Sequence, residues 1–201
     1  HHRSSAASDV YKRQALGLSW NGATIEEQVN NLVAKIGEKI SLRRIQWIHQ
    51  KESGQLGYYN HLGGKIVVVA EIAGAKISQE NIKDVCMQVA AMNPLYVDKS
   101  EVAQDVLDRE KAIFLDQLRE SGKPEAMFEN IIKGKLNKFA SEISLNQQMY
   151  VKDPSGKNSV EKFLKGIDSD AKIIQFSRFA VGEGIEKKQE DFADEVAKMV
   201  Q

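Results

Sequence analysis

From Thr24 to Ile40 the apolar residues recur at three- and four-residue steps, so that Ile25, Val29, Leu32, Val33 and Ile36 form one stripe. The spacing predicts an amphipathic helix, capped by Thr24, with Glu26 and Glu27 in its positive first turn and Gly37 weakening its last. From Ser41 to His49 the period falls to two: Arg43, Ile45 and Trp47 share one face, and Leu42, Arg44, Gln46 and Ile48 the other, which predicts a strand. Ser53 to Gly64 holds Gly54, Gly57, Gly63 and Gly64 with Tyr58, Tyr59, Asn60 and His61 among them, and reads as a turn-rich connection. Lys65 to Ile72 is rich in β-branched residues and is the clearest strand. Ser78 to Met92 reads as a second helix, with Ile82, Val85, Met87, Val89 and Ala90 available for burial. Asn93-Pro94 stops it, because proline disfavours α geometry in the residue before it.

A third helix is predicted over Glu101 to Glu120, with Val102, Val106, Ile113 and Leu118 among its apolar positions. Gly122 suits a helix C-terminus and Pro124 the first turn of the next helix, which runs to Ser141 with Met127, Ile131, Leu136 and Phe139 near one face. Two long helices on a short turn read either as an antiparallel hairpin, coiled-coil-like, or as two helices laid on a globular core. Asp153 to Gly156 is a turn, Val160 to Leu164 a short helix, Lys172 to Val181 a strand, and Gln189 to Val200 a last helix with Phe192, Val196 and Val200 in line. The order is not regular βαβ alternation. It predicts an α+β fold: an antiparallel-sheet core with packed helices and an inserted antiparallel helical hairpin.

Ser4 to Gln14, SSAASDVYKRQ, has neither period and resembles the translation of a transposon-end adaptor used in sequencing libraries. Residues 1–14 are therefore expected to be a non-native, disordered segment, leaving 201 − 14 = 187 residues of a chain shortened at its N-terminus. A natural flexible N-terminus is the plainer alternative.

Composition excludes some classes. The chain carries 28 basic and 28 acidic residues for a net charge of +0, which argues against a nucleic-acid binder held mainly through phosphates. The longest apolar run, Ile66 to Ala70, is far short of the ~20 residues that span a membrane. The lone Cys86 cannot make an internal disulfide and falls on the apolar face of its helix, as a buried hydrophobe does. Beyond the first residues there are two histidines, His49 and His61, with no carboxylates at metal-ligand spacing. Val181 to Lys187, VGEGIEK, has the outline of a dinucleotide fingerprint. Lys187 occupies the third glycine position, however, and Glu183 would face a pyrophosphate, so a tight turn is the better reading. Lys133, Lys135 and Lys138 read as a solvated helix face. Residue chemistry thus predicts no enzyme, no cofactor, no metal and no directly bound nucleotide.

Four stretches in order resemble the elongation factor Ts family, the guanine-nucleotide exchange factors of elongation factor Tu: Leu32 to Ile40 with Arg43-Arg44; Ser121-Gly122-Lys123-Pro124 with Lys135 to Phe139; Glu142 to Leu145 with Gln147-Gln148; and Arg178 to Lys187 with Asp191-Phe192-Ala193. Met149 departs from the family, in which a proline usually follows the glutamine. The small helical ubiquitin-associated-like domain of the family, and its Thr-Asp-Phe-Val loop whose phenylalanine wedges into the partner, do not occur in these 201 residues. The resemblance implies elongation factor Tu as partner, a dimerising helical hairpin, and a bacterial cytoplasm or an organellar matrix or stroma as compartment. It implies partner contacts at Tyr59, His61, Gly63, Gly64 and Lys65 and at Phe192, Val196 and Met199. The domain plan it suggests is a remnant N-terminal core subdomain over 15–50 and a C-terminal core subdomain over 51–98 and 144–187. The hairpin is inserted at 99–143 and a C-terminal helical module covers 188–201. Two rivals remain: an adaptor assembling through the hairpin with no effect on a GTPase, and an enzyme using His49, His61 and an acidic residue.

Overall fold

The computed structural model describes residues 13–51, 53–122 and 124–184. Most of the expected adaptor segment, and the whole expected helix from Gln189 to Val200 with Phe192, Val196 and Met199, lie outside the described residues. The chain divides into two compact units, His1–His49 and Gln50–Gln201.

In the first unit, β1 (Ser19–Trp20) pairs antiparallel with β2 (Ala23–Thr24). Asn21 and Gly22 join them at φ 50° and 83°, the doubly left-handed turn that matches strand twist. Helix α1 (Ile25–Ile36) starts at a capping box: the Glu27 N–H donates to Thr24 Oγ1 (3.2 Å) and the Thr24 N–H to Glu27 Oε2 (2.8 Å). It ends before the predicted Ile40, because Gly37 adopts the left-handed region at φ 77° and closes the last turn. Ser41 to His49 is irregular, not the predicted strand. No described strand pairs with it, and a ladder needs a partner. Its partly buried residues, Leu42, Ile45 and Ile48, fall three apart, a spacing that alternation does not produce.

The second unit is built on a three-stranded antiparallel sheet in the order β3 (Gly54–His61), β4 (Ile66–Ala73), β5 (Lys172–Ala180). The turn-rich reading of Ser53 to Gly64 is corrected here: most of it is β3, in register with β4 from Gly54↔Ala73 to His61↔Ile66. Two of its glycines serve close approach rather than turning. A Cβ at Gly57 would lie 2.6 Å from Ile82 Cγ2, and one at Gly54 would overlap the Glu71 carboxylate. Helix α2 (Gln79–Met92), capped by Ser78 and closed by Asn93 at φ 47°, lies on the Gly57 face. Ile82, Val85, Cys86 and Val89 there meet Val68, Ala70 and Ile72 of β4, all at most 1% exposed. Leu145, Ile173, and Val160 and Leu164 from α5 (Val160–Ile167) complete the core. The result is α+β, as the element order predicts.

Everything between β4 and β5 is inserted between neighbouring strands. The largest part is a helical pair, α3 (Gln104–Glu120) and α4 (Phe128–Glu142). Both begin later than the predicted Glu101 and Pro124, because Lys99–Glu101 and Glu125–Met127 wind as 3₁₀ turns. Leu118 and Ile132 are buried, and the Lys135 ammonium sits 4.8 Å from the centre of the Phe114 ring. Ile113 and Met127 are 49% and 52% exposed, off the packed stripe. The pair leaves and rejoins the unit at one place, where Tyr96 and Ser144 form a parallel bridge and the Leu145 N–H donates to the Tyr96 carbonyl (2.9 Å).

Candidate partner-binding site

The β3–β4 connection is a projecting tip. Leu62, Gly63 and Gly64 all have positive φ, at 50°, 66° and 99°. Glycine adopts such angles without penalty, whereas a leucine there is uncommon. Leu62 is 66% exposed. At the same end of the sheet Val181, 79% exposed, donates its N–H to the Lys65 carbonyl at 2.8 Å. The structure therefore places Tyr59, His61, Gly63, Gly64 and Lys65 together, and adds Leu62 and Val181. The sequence signal for Leu62 is an apolar residue between a histidine and two glycines, which reads as turn filler when only polar and glycine positions are followed.

Tyr59 and His61 stand on one face of β3, as residues two apart do. Tyr59 Oη lies 2.9 Å from His61 Nδ1, and the rings are 5.6 Å apart, tilted by 40°. The Tyr59 ring is half-buried against the core, whereas Tyr58, on the opposite face, is 72% exposed. Beside them, Lys152 Nζ bonds Asp84 Oδ1 of α2 at 2.6 Å, and Tyr150 Oη donates to the other oxygen at 3.1 Å. The Asp84 bond raises the Lys152 pKa, and Glu80 and Tyr59 add to it electrostatically.

The remaining conspicuous groups serve the scaffold. Cys86 is fully buried, and burial pushes its thiol up to about 12, so it is an inert hydrophobe that donates weakly to the Gly57 carbonyl (3.7 Å). Glu71 is fully buried and accepts from the Lys51 N–H and from Gln175 Nε2 (2.6 Å). Val181–Gly184 is a turn, with Gly182 and Gly184 at φ 78° and 71°. Among the described residues, no three His, Cys, Asp or Glu side chains are placed to hold a metal ion. No helix of the described residues is long and apolar enough to cross a membrane. Two hollows, of about 450 and 440 Å³, are lined by mixed charges around Asp98, Lys165 and Lys172 and around Lys152, Asn158 and Lys162. The tip lines neither.

The family model described as elongation factor TS matches residues 2–183. The chain belongs to the elongation factor Ts family. Elongation factor Ts of Thioalkalivibrio sulfidiphilus (strain HL-EbGR7) is 42% identical over 193 residues, covering 96% of this chain and 63% of the relative. That of Clostridium perfringens (strain SM101 / Type A) is 43% identical over 183 residues, covering 88% and 59%. The chain thus spans about three-fifths of the length of the curated relatives it matches.

The geometry assigns work to one of the stretches that carry the resemblance. Glu142 to Gln148 forms the base of the helical pair. Gln147 Nε2 donates to Asp98 Oδ2 (2.7 Å), and Gln148 Nε2 donates to the Glu142 carbonyl (2.8 Å). Asp98 also accepts from the Ser100 N–H (2.9 Å) and from Asn146 Nδ2 (3.3 Å). These bonds, the Ser100 N–H foremost, hold its carboxyl well below the usual carboxylate range. Gln88 of α2, fully buried, donates to Gln148 Oε1 (3.2 Å) and the Met149 carbonyl (3.1 Å), and accepts from the Val151 N–H (2.8 Å). The glutamine pair is structural: it ties the returning end of the helical pair to the sheet-bearing unit.

Proposed function

We propose that this chain is a non-enzymatic translation elongation factor of the Ts type, which binds nucleotide-free elongation factor Tu and so promotes release of GDP. Membership of the elongation factor Ts family is the observation that carries the reading. The mechanism needs no reactive group. A protein that prefers the empty state of a GTPase weakens its nucleotide binding, and by linkage the nucleotide weakens the protein's binding by the same factor. Differential contact with two conformations of the partner suffices.

The β3–β4 tip with Tyr59, His61, Gly63, Gly64 and Lys65 is the proposed contact within the sheet-bearing unit. It is supported by an exposed apolar Leu62 on a backbone turn whose shape is set by three consecutive left-handed residues. Phe192, Val196 and Met199 are proposed as a second contact. The helical pair is proposed as a self-association element, for which exposed Ile113 and Met127 offer apolar surface. A bacterial cytoplasm is the proposed compartment, in keeping with the bacterial sources of both relatives.

Capture of nucleotide-free elongation factor Tu, repeated with excess GDP, tests the reading: the complex is expected to form and GDP to compete it away. Absence of capture, or capture indifferent to GDP, would refute it. Release of a fluorescent GDP should be slow with these 201 residues, which contain no Thr-Asp-Phe-Val wedge. Release at the full rate of a complete elongation factor Ts would remove the wedge from the mechanism.

A further inference from the structure

We propose that, within the tip, Tyr59 serves as a positioning residue that acts through His61. Its hydroxyl fixes His61 as the Nε2–H tautomer and holds that N–H at the sheet tip as a hydrogen-bond donor to a carbonyl or carboxylate of the partner protein. The second half of this inference rests on the proposed role of the tip; the first does not.

Four observations converge. Tyr59 Oη and His61 Nδ1 are 2.9 Å apart, so one of them carries the shared proton. A phenol O–H is far more acidic than the N–H of a neutral imidazole, so the phenol is the better donor and Nδ1 the better acceptor. The Lys152 ammonium, pinned by Asp84 at 2.6 Å, lies within electrostatic reach of Tyr59. Finally, Tyr59 is placed by packing: it pairs with fully buried Val68, and its ring rests on the core. With Nδ1 taken as acceptor, the ring proton must sit on Nε2. That atom makes no hydrogen bond among the described residues and is not among the buried, unpartnered side-chain atoms. It therefore has access to solvent, from which a partner group can approach. Oriented donors cost less ordering on association than freely rotating ones, which is how Tyr59 contributes through His61.

Nitrogen-15 imidazole spectra of the full chain, with His61 assigned by its loss in H61A, test the tautomer directly. Nδ1 should resonate as an unprotonated nitrogen and Nε2 as a protonated one. Y59F, which keeps the ring and its packing, should shift both toward a tautomeric average. A protonated Nδ1 in the wild type, or spectra unmoved by Y59F, would overturn the proposal. Affinity for nucleotide-free elongation factor Tu then tests the partner half. Y59F should weaken binding roughly fivefold, the net value of one hydrogen bond, in the wild-type background and not at all in H61A. Equal losses in both backgrounds would show that Tyr59 does not act through His61. If H61A binds like the wild type, the contact role of the tip is wrong. The spectra report separately on the tautomer, so the two failures remain distinguishable.

Discussion

Replacing Gln88 by leucine removes one side chain that holds three backbone and side-chain partners on the segment returning from the helical pair. The shape is nearly conserved, so the cost is mainly polar. Gln148 Oε1 loses its 3.2 Å donor, the Met149 carbonyl its 3.1 Å donor and the Val151 N–H its 2.8 Å acceptor. A buried polar group left without a partner costs about 1–3 kcal/mol. Gln148 is buried at 4% exposure and bears that cost in full, whereas the Met149 carbonyl and the Val151 N–H sit in part-buried bonds on residues 47% and 50% exposed and bear less of it. The expected loss is therefore about 3 kcal/mol, not the sum of three full penalties. With a urea dependence of about 2 kcal/mol per molar, the midpoint of the sheet-bearing unit should fall by roughly 1.5 M. Far-ultraviolet circular dichroism in urea measures that shift. Amide exchange should rise first in 144–151 while the sheet stays protected. A loss below about 0.5 kcal/mol, the range of ordinary surface changes, would refute the assignment of Gln88 as the tie.

Two further outcomes follow from the same kind of contact. Gly57→Ala puts a methyl 2.6 Å from Cγ2 and 3.0 Å from Cβ of the fully buried Ile82, and should cost about 1–3 kcal/mol in the same urea titration. Asp98 has a depressed carboxyl pKa in the folded state, so its stabilisation is complete above the unfolded value of about 3.9 and is lost as pH falls through the folded value. Asp98→Asn keeps one acceptor oxygen and sits where solvent screens the charge, so it should be only about 0.5–1 kcal/mol less stable than the wild type at pH 7, with the difference shrinking steadily below about pH 4. Denaturation midpoints across that range check both the size and the direction.

The long amphipathic helices and β4 were legible because their periods are carried by many side chains pointing the same way. β3 was not. Gly54 and Gly57 read as turn residues, yet they stand in the strand because the Glu71 carboxylate and Ile82 occupy the space a Cβ would need. Single-chain patterning cannot show a neighbour pressing on a backbone. The opposite error arose at Ser41 to His49, where alternation suggested a strand for which no ladder partner exists among the described residues. At the tip, the residues were nameable only through family resemblance. The Tyr59–His61 hydrogen bond was within reach of the sequence, since residues two apart on a strand share a face, but only once Ser53 to Gly64 is known to be a strand.

The bridge between Tyr96 and Ser144 has a consequence for how the molecule can change over time. Because the outgoing and incoming stretches of chain lie side by side there, the whole arm beyond them is topologically a side branch. Turns of helix can be gained or lost in matched pairs without rerouting a single strand. Arm length is thereby free to drift or be selected independently of the sheet, which makes it the natural dimension along which related proteins would diverge.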